Sequence, residues 1–213
     1  MKTEQLVSLL ATRVEAVDRT LIARRCGWAL GAAILVALAL TLGALHLNPA
    51  LSRYLHLPMF WAKEVFCIAL AVAGFFAVAR LARPGVRLGW VRWGIIVPVL
   101  AMWVIAGIAL LATPPGAHMR MILGESAAKC PFLIALIGAP LFIAYLWILR
   151  SFAPTHLRLA GAAAGFAAGS LGAFVYSLHC PELAAPFIGI WYLLGMLIPM
   201  TIGASLGPRL LRW

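Results

Sequence analysis

The sequence predicts an all-α membrane protein: a six-transmembrane-helix bundle with both N-terminus and C-terminus in the cytoplasm, preceded by a short N-terminal amphipathic helix. Three observations predict it. The 213 residues are 64% apolar and only 11% charged, with a mean hydropathy of +1.02, far from the profile of a soluble domain of this length. The apolar residues come in continuous runs, not in the alternating segments of about ten residues that build a membrane barrel. The basic residues are distributed unevenly between the two sets of connecting loops.

A bilayer core about 30 Å thick needs roughly 20 apolar residues per helix. Six segments qualify, at about 26–45, 62–80, 94–112, 131–149, 159–178 and 187–206. The first is too long for a signal-peptide core, and 25 partly charged residues precede it, so it is expected to remain attached. Orientation follows from Lys and Arg. Lys2, Arg13, Arg19, Arg24, Arg25, Arg80, Arg83, Arg87, Arg92, Arg150, Arg158, Arg209 and Arg212 fall on the side of the termini, whereas Arg53, Lys63, Arg120 and Lys129 fall opposite. That division of the 17 basic residues, 13 to 4, puts both termini inside and explains the +11 net charge by anionic lipid headgroups, without nucleic acid.

Residues 1–25 form the first domain and 26–213 the membrane domain. In the former, Leu6, Leu10, Val14, Val17 and Leu21 recur at helical spacing, with Thr3 as N-cap and Glu4 in the first turn. So short a helix is marginal alone, so its apolar face needs a surface: lipid, the bundle's own loops or a partner. Within the membrane, "GAAAGFAAGSLGA" aligns Gly161, Gly165, Gly169 and Ala173 on one face, where backbones can approach closely. Gly27 with Gly31, and Gly203 with Gly207, repeat the pattern. Trp28, Trp61, Trp90, Trp93 and Tyr176 read as interfacial anchors.

Chemistry concentrates outside. Two Cys-Pro pairs, "AKCPF" and "YSLHCPE", place Cys130 and Cys180 in exterior loops on the same side. Pro131 sets the start of the fourth span with Cys130 near its N-cap, where the helix terminus and Lys129 favour a thiolate; Pro181 stops the fifth span beside Cys180. Both thiols are expected at the membrane surface. Cys26 and Cys67 read as small packing residues. His179, His118, Glu125 and Glu182 face the same compartment and are candidate auxiliary metal or proton ligands. A static disulfide, a redox sensor and a soft-metal site all fit these residues. The span interiors carry almost no ionisable residue, which argues against an ion-coupled transporter, and Lys63 with Glu64 is expected to be an interfacial pair that snorkels outward. A membrane thiol-redox protein would need a second exchangeable cysteine pair. No catalytic residues and no resident cofactor are expected.

The short N-terminal helix, six spans, a cysteine ahead of the fourth span, "YSLHCPE", "FIGIWY" from Phe187 to Tyr192, and the closing "GPRLLRW" together resemble the NrsF family of integral membrane anti-sigma factors. The resemblance implies a regulator, not an enzyme, in the bacterial inner membrane. It implies an extracytoplasmic-function (ECF) sigma factor of the sigma-F type as partner, held at the cytoplasmic face. It further implies that Cys130 and Cys180 respond to oxidants or to transiently bound heavy metal. The chain lacks the His-x-x-x-Cys-x-x-Cys zinc motif of many soluble anti-sigma domains, which leaves the 1–25 helix as the candidate sigma-factor-binding surface. Pro140 and Pro199 would let the fourth and sixth spans bend in response.

Overall fold

The structure, a computed structural model, describes residues 19–212. The expected partner-binding positions Leu6, Leu10, Val14 and Val17 lie outside the described residues. Leu21 lies inside them and is half exposed.

All regular structure among the described residues is helical. Helix α1 spans Arg19–Leu40 and runs on through a π-helical turn, Thr41–Leu45, where the Thr41 hydroxyl donates to the Ala37 carbonyl at 3.0 Å. A single turn, α2 (Leu51–Tyr54), leads into α3 (Pro58–Leu81). Then follow α4 (Val91–Leu111), the short α5 (Pro115–Leu123), α6 (Cys130–Arg150), α7 (Leu157–Ser177) and α8 (Ala185–Leu210). Six of these are long and apolar enough to cross a membrane, within about four residues of the boundaries the sequence predicts. Helices α2 and α5, short and proline- or loop-bounded, escape a search for long apolar runs.

Proline punctuates the starts. Pro58, Pro115, Pro131 and Pro186 occupy the first turns of α3, α5, α6 and α8, where a missing N–H breaks no helical bond. Pro98, Pro140, Pro199 and Pro208 instead lie inside α4, α6 and α8.

Helix α7 is the centre of the bundle, packed against α8, α3 and α6 and nearly all buried. Lipid tails are as apolar as leucine, so close backbone packing, not hydrophobic segregation, has to hold such helices together. The glycines of α7 supply it. A methyl group at Gly161 would overlap the Gly203 carbonyl, and one at Gly165 would overlap the Pro199 carbonyl; at Gly169 it would stand 2.8 Å from the Met196 Cα. On the opposite side Gly172 meets Gly138 of α6, and Gly74 of α3 meets Ala167. Gly27 and Gly31 differ, with nothing within 4 Å of an added Cβ. Helix α4 is peripheral, burying only Val91, Met102 and Ala106 along its length and presenting Val97, Leu100, Val104 and Ile108 outward, as a lipid-facing helix does.

Candidate functional site: a buried thiol pair beside a buried lysine

At one end of the bundle the first turns of α3 and α6, the last turn of α7 and the α7–α8 loop converge. The α7 helix closes with the Cys180 N–H donating to the Tyr176 carbonyl at 3.1 Å, and Pro181 prevents another turn. The Cys130 N–H reaches the Ser126 carbonyl at 2.9 Å, which fixes the entry into α6 immediately before Pro131. These two local stops bring Cys130 and Cys180 together, 50 residues apart in the chain, near enough for each thiol to shift the titration of the other. Both are unbonded thiols.

Neither thiol lies at the surface as the sequence suggests, since both are 0% exposed. The loop before α6 and the α7–α8 loop fold over them. Glu182 fastens the two loops: its carboxylate accepts the Glu125 N–H at 2.7 Å and packs on Gly124, whose φ of 51° suits a residue without a Cβ. The Ser126 hydroxyl stands 4.0 Å from the Cys180 sulfur. Tyr176 is likewise no interfacial anchor. It is 1% exposed, its hydroxyl neighbours the two thiols, and its ring lies 5.9 Å from that of Tyr192.

Lys63 is the larger departure from expectation. Neither it nor Glu64 snorkels: Lys63 is 0% exposed and Glu64 5%. The Lys63 ammonium donates to the carbonyls of Ser177 and Cys180, each at 3.3 Å, and of Glu182 at 3.5 Å. Its three donors thus meet three backbone acceptors of the "YSLHCPE" loop. The rings of Phe60 and Tyr192 flank it at 5.4 and 6.0 Å. Glu64, next in sequence, finds no donor for either oxygen, because the nearby Ser177 hydroxyl gives its hydrogen to the Phe174 carbonyl at 2.5 Å. Cys67, one helical turn on, borders the cluster and is fully buried.

The electrostatic result is asymmetric. Cys180 is held below the ordinary range of a thiol. The first cause is the Cys130 S–H, which donates to the Cys180 sulfur; burial opposes it, and the Tyr192 hydroxyl, the backbone at Glu182 and the Lys63 cation favour the thiolate. The Tyr192 hydroxyl acts as a nearby dipole, since it has no partner at hydrogen-bond geometry. The depression therefore falls on Cys180 instead of Cys130, with the Cys130 thiol as its first cause and Lys63 as a lesser one, while Lys129 is exposed. A thiolate beside a thiol donor is the arrangement from which a disulfide forms or a soft ion is captured.

The remaining candidates have local duties. The His179 Nδ1 donates to the His46 carbonyl at 2.9 Å, joining the α7 end to the loop after α1. The His118 Nε2 donates to the carbonyls of Leu110 and Thr113, both at 2.8 Å, closing the end of α4. Among the described residues no three His, Cys, Asp or Glu side chains gather as a metal site.

The family model described as "Negative regulator of sigma F" (NrsF) matches residues 10–213. This chain belongs to the NrsF family. A relative from Azospira oryzae, named "Probable anti-sigma-F factor NrsF", is 46% identical over 213 residues, and the "Anti-sigma-F factor NrsF" of Caulobacter vibrioides is 37% identical over 217 residues. Both alignments span the whole of each chain. No solved structure matches. The names of these NrsF relatives are those of regulators rather than enzymes. Residue by residue, the sequence of this NrsF chain puts Cys130 and Cys180 on one side of the membrane but turns Lys63 outward as an interfacial residue, where the structure buries it. The available signal is the α3 start at Pro58, which sets Lys63 in the second turn of a span, where an ionisable residue is a functional candidate by default.

Proposed function

We propose that this NrsF protein is an anti-sigma factor of the bacterial inner membrane. It binds an ECF sigma factor of the sigma-F type at the cytoplasmic face through its 1–25 segment, and releases it when Cys130 and Cys180 meet an oxidant or a heavy-metal ion on the exterior side. The observation that carries this reading is the pairing of the Cys180 and Cys130 thiols, both fully buried under two loops at one end of the bundle.

With a peroxide, the Cys180 thiolate attacks one oxygen; the O–O bond breaks, hydroxide leaves, and a sulfenic acid forms. The Cys130 sulfur then displaces the sulfenic oxygen. The S–S bond forms, and the Cys130 proton leaves with that hydroxyl as water. The two sulfurs lose two electrons, the peroxide gains them, and the pocket loses one negative charge.

The route inward is α3. From Lys63 it runs 19 residues, about 29 Å at 1.5 Å per residue, to Val78, Ala79 and Ala82. There it lines a cavity of about 600 Å³ with Ala23, Cys26 and Leu30 of α1. That cavity lies at the root of the 1–25 segment.

The experiment is to follow the redox state of Cys130 and Cys180 in intact cells with a thiol-reactive mass tag while measuring co-purification of the sigma factor. Thiols that start free, and whose modification accompanies release, support the reading. Normal release in both Cys130→Ser and Cys180→Ser would refute it.

A further inference from the structure

A lysine with no exposed surface, buried in a bundle that spans a membrane, needs an explanation. Removing an ammonium from water costs several kcal/mol even after relaxation. Its three carbonyl partners supply dipoles but no negative charge. The neighbouring Glu64 does not ligate it, since both Glu64 oxygens are without a partner. Of the titratable groups around it, Cys180 interacts with the Lys63 charge most strongly, ahead of Glu64, Cys67 and Cys130. The same lysine grips the carbonyl of Cys180 itself, together with those of residues three before and two after it.

We propose that Lys63 is the positioning residue of the thiol centre: it clamps the 177–182 loop through three backbone carbonyls, that of Cys180 among them, which ties the loop that carries the Cys180 sulfur to helix α3. This deepens the sensing function proposed above and rests on it for its consequence in the cell. When Cys180 joins Cys130 in a disulfide, the anion disappears and Lys63 is left as a buried cation facing carbonyls alone. The cost of that unpaired charge is relieved only if the ammonium leaves its carbonyls, opening the clamp, or gives up a proton. Either change is felt at the second turn of α3, the helix that reaches the cavity beside α1.

The test uses the full chain, reduced, in lipid nanodiscs. The titration of Cys180 is read from ultraviolet thiolate absorbance as a difference against Cys180→Ser, and loop order from amide hydrogen exchange of residues 177–182. Lys63→Met keeps the side-chain volume but removes the charge and all three donors. It is expected to speed loop exchange at least about tenfold and to raise the Cys180 midpoint, by less than the loss of the Cys130 thiol does. Lys63→Arg keeps the charge without the compact three-donor head, and is expected to restore much of the midpoint but not the protection. Wild-type midpoint and wild-type exchange in a helical Lys63→Met protein would overturn the proposal. If Lys63→Met does not fold, Lys63→Gln gives the same two readouts, and wild-type values there overturn it equally. Neither readout involves the sigma factor, so indifference of sigma binding to Cys130 and Cys180 would defeat the sensing function while leaving the Lys63 result standing.

Discussion

The packing of α7 on α8 makes a quantitative prediction for Gly165→Ala. An added methyl group overlaps the Pro199 carbonyl and stands 2.7 Å from the Met200 nitrogen, where an ordinary contact begins near 3.4 Å. The obstacle is backbone, which has no rotamer to change. The helices must therefore part by about 0.7 Å at Met200 and by more at Pro199, a gap that forfeits about a quarter to a half of each atom-pair attraction of ~0.1–0.2 kcal/mol along the seam. Overpacking of this kind costs roughly 1–3 kcal/mol, and several backbone overlaps place Gly165 at the upper end. Alanine's better helix propensity offsets up to about 1 kcal/mol. The expected net loss is about 2 kcal/mol, a roughly 30-fold shift in the unfolding equilibrium. The control is Gly31→Ala on α1, which meets open space and should be neutral or gain up to about 1 kcal/mol. Unfolding in mixed detergent micelles, followed by helical circular dichroism, measures both. Equal stability of the two variants would refute the claim that the α7 glycines are a close-contact seam.

Three further outcomes are expected. Cys130→Ala removes the S–H donor that holds Cys180 low, so the Cys180 titration should move up toward the ordinary thiol value of about 8.5; an unmoved midpoint would assign the depression elsewhere. Because the folded Cys180 titrates below its unfolded value, its thiolate stabilises the fold fully above the unfolded pKa, and that stability is lost as pH falls through the lowered one; melting of the wild type should approach that of Cys180→Ser in acid and exceed it at neutral pH. Glu182→Ala breaks the bond to the Glu125 N–H and should cost about 1–2 kcal/mol while making both buried thiols react faster with a small alkylating reagent; unchanged reactivity would show that this contact does not close the pocket.

The sequence by itself determined the number and approximate limits of the spans, because a bilayer sets the length and polarity of whatever crosses it, whatever the neighbours. Helix seven could be named as a close-packing surface for a similar reason: four small residues at a four-residue spacing share one face of any helix. Cys130 and Cys180 were legible as a pair on one side because their loops follow from the span count, and Pro131 and Pro181 stop helices locally. Tertiary structure alone decided where the side chains face. Whether Gly161 meets Gly203 while Gly27 meets nothing depends on which helices are neighbours. Burial of both thiols arises from two loops that Glu182 joins across 57 residues, and Lys63 turns inward because carbonyls 114 to 119 residues away receive it. No pattern within a single span encodes such partners. A charge near the end of an apolar helix has the same local sequence whether it snorkels to water or is enclosed, and only the other helices determine which is cheaper in free energy.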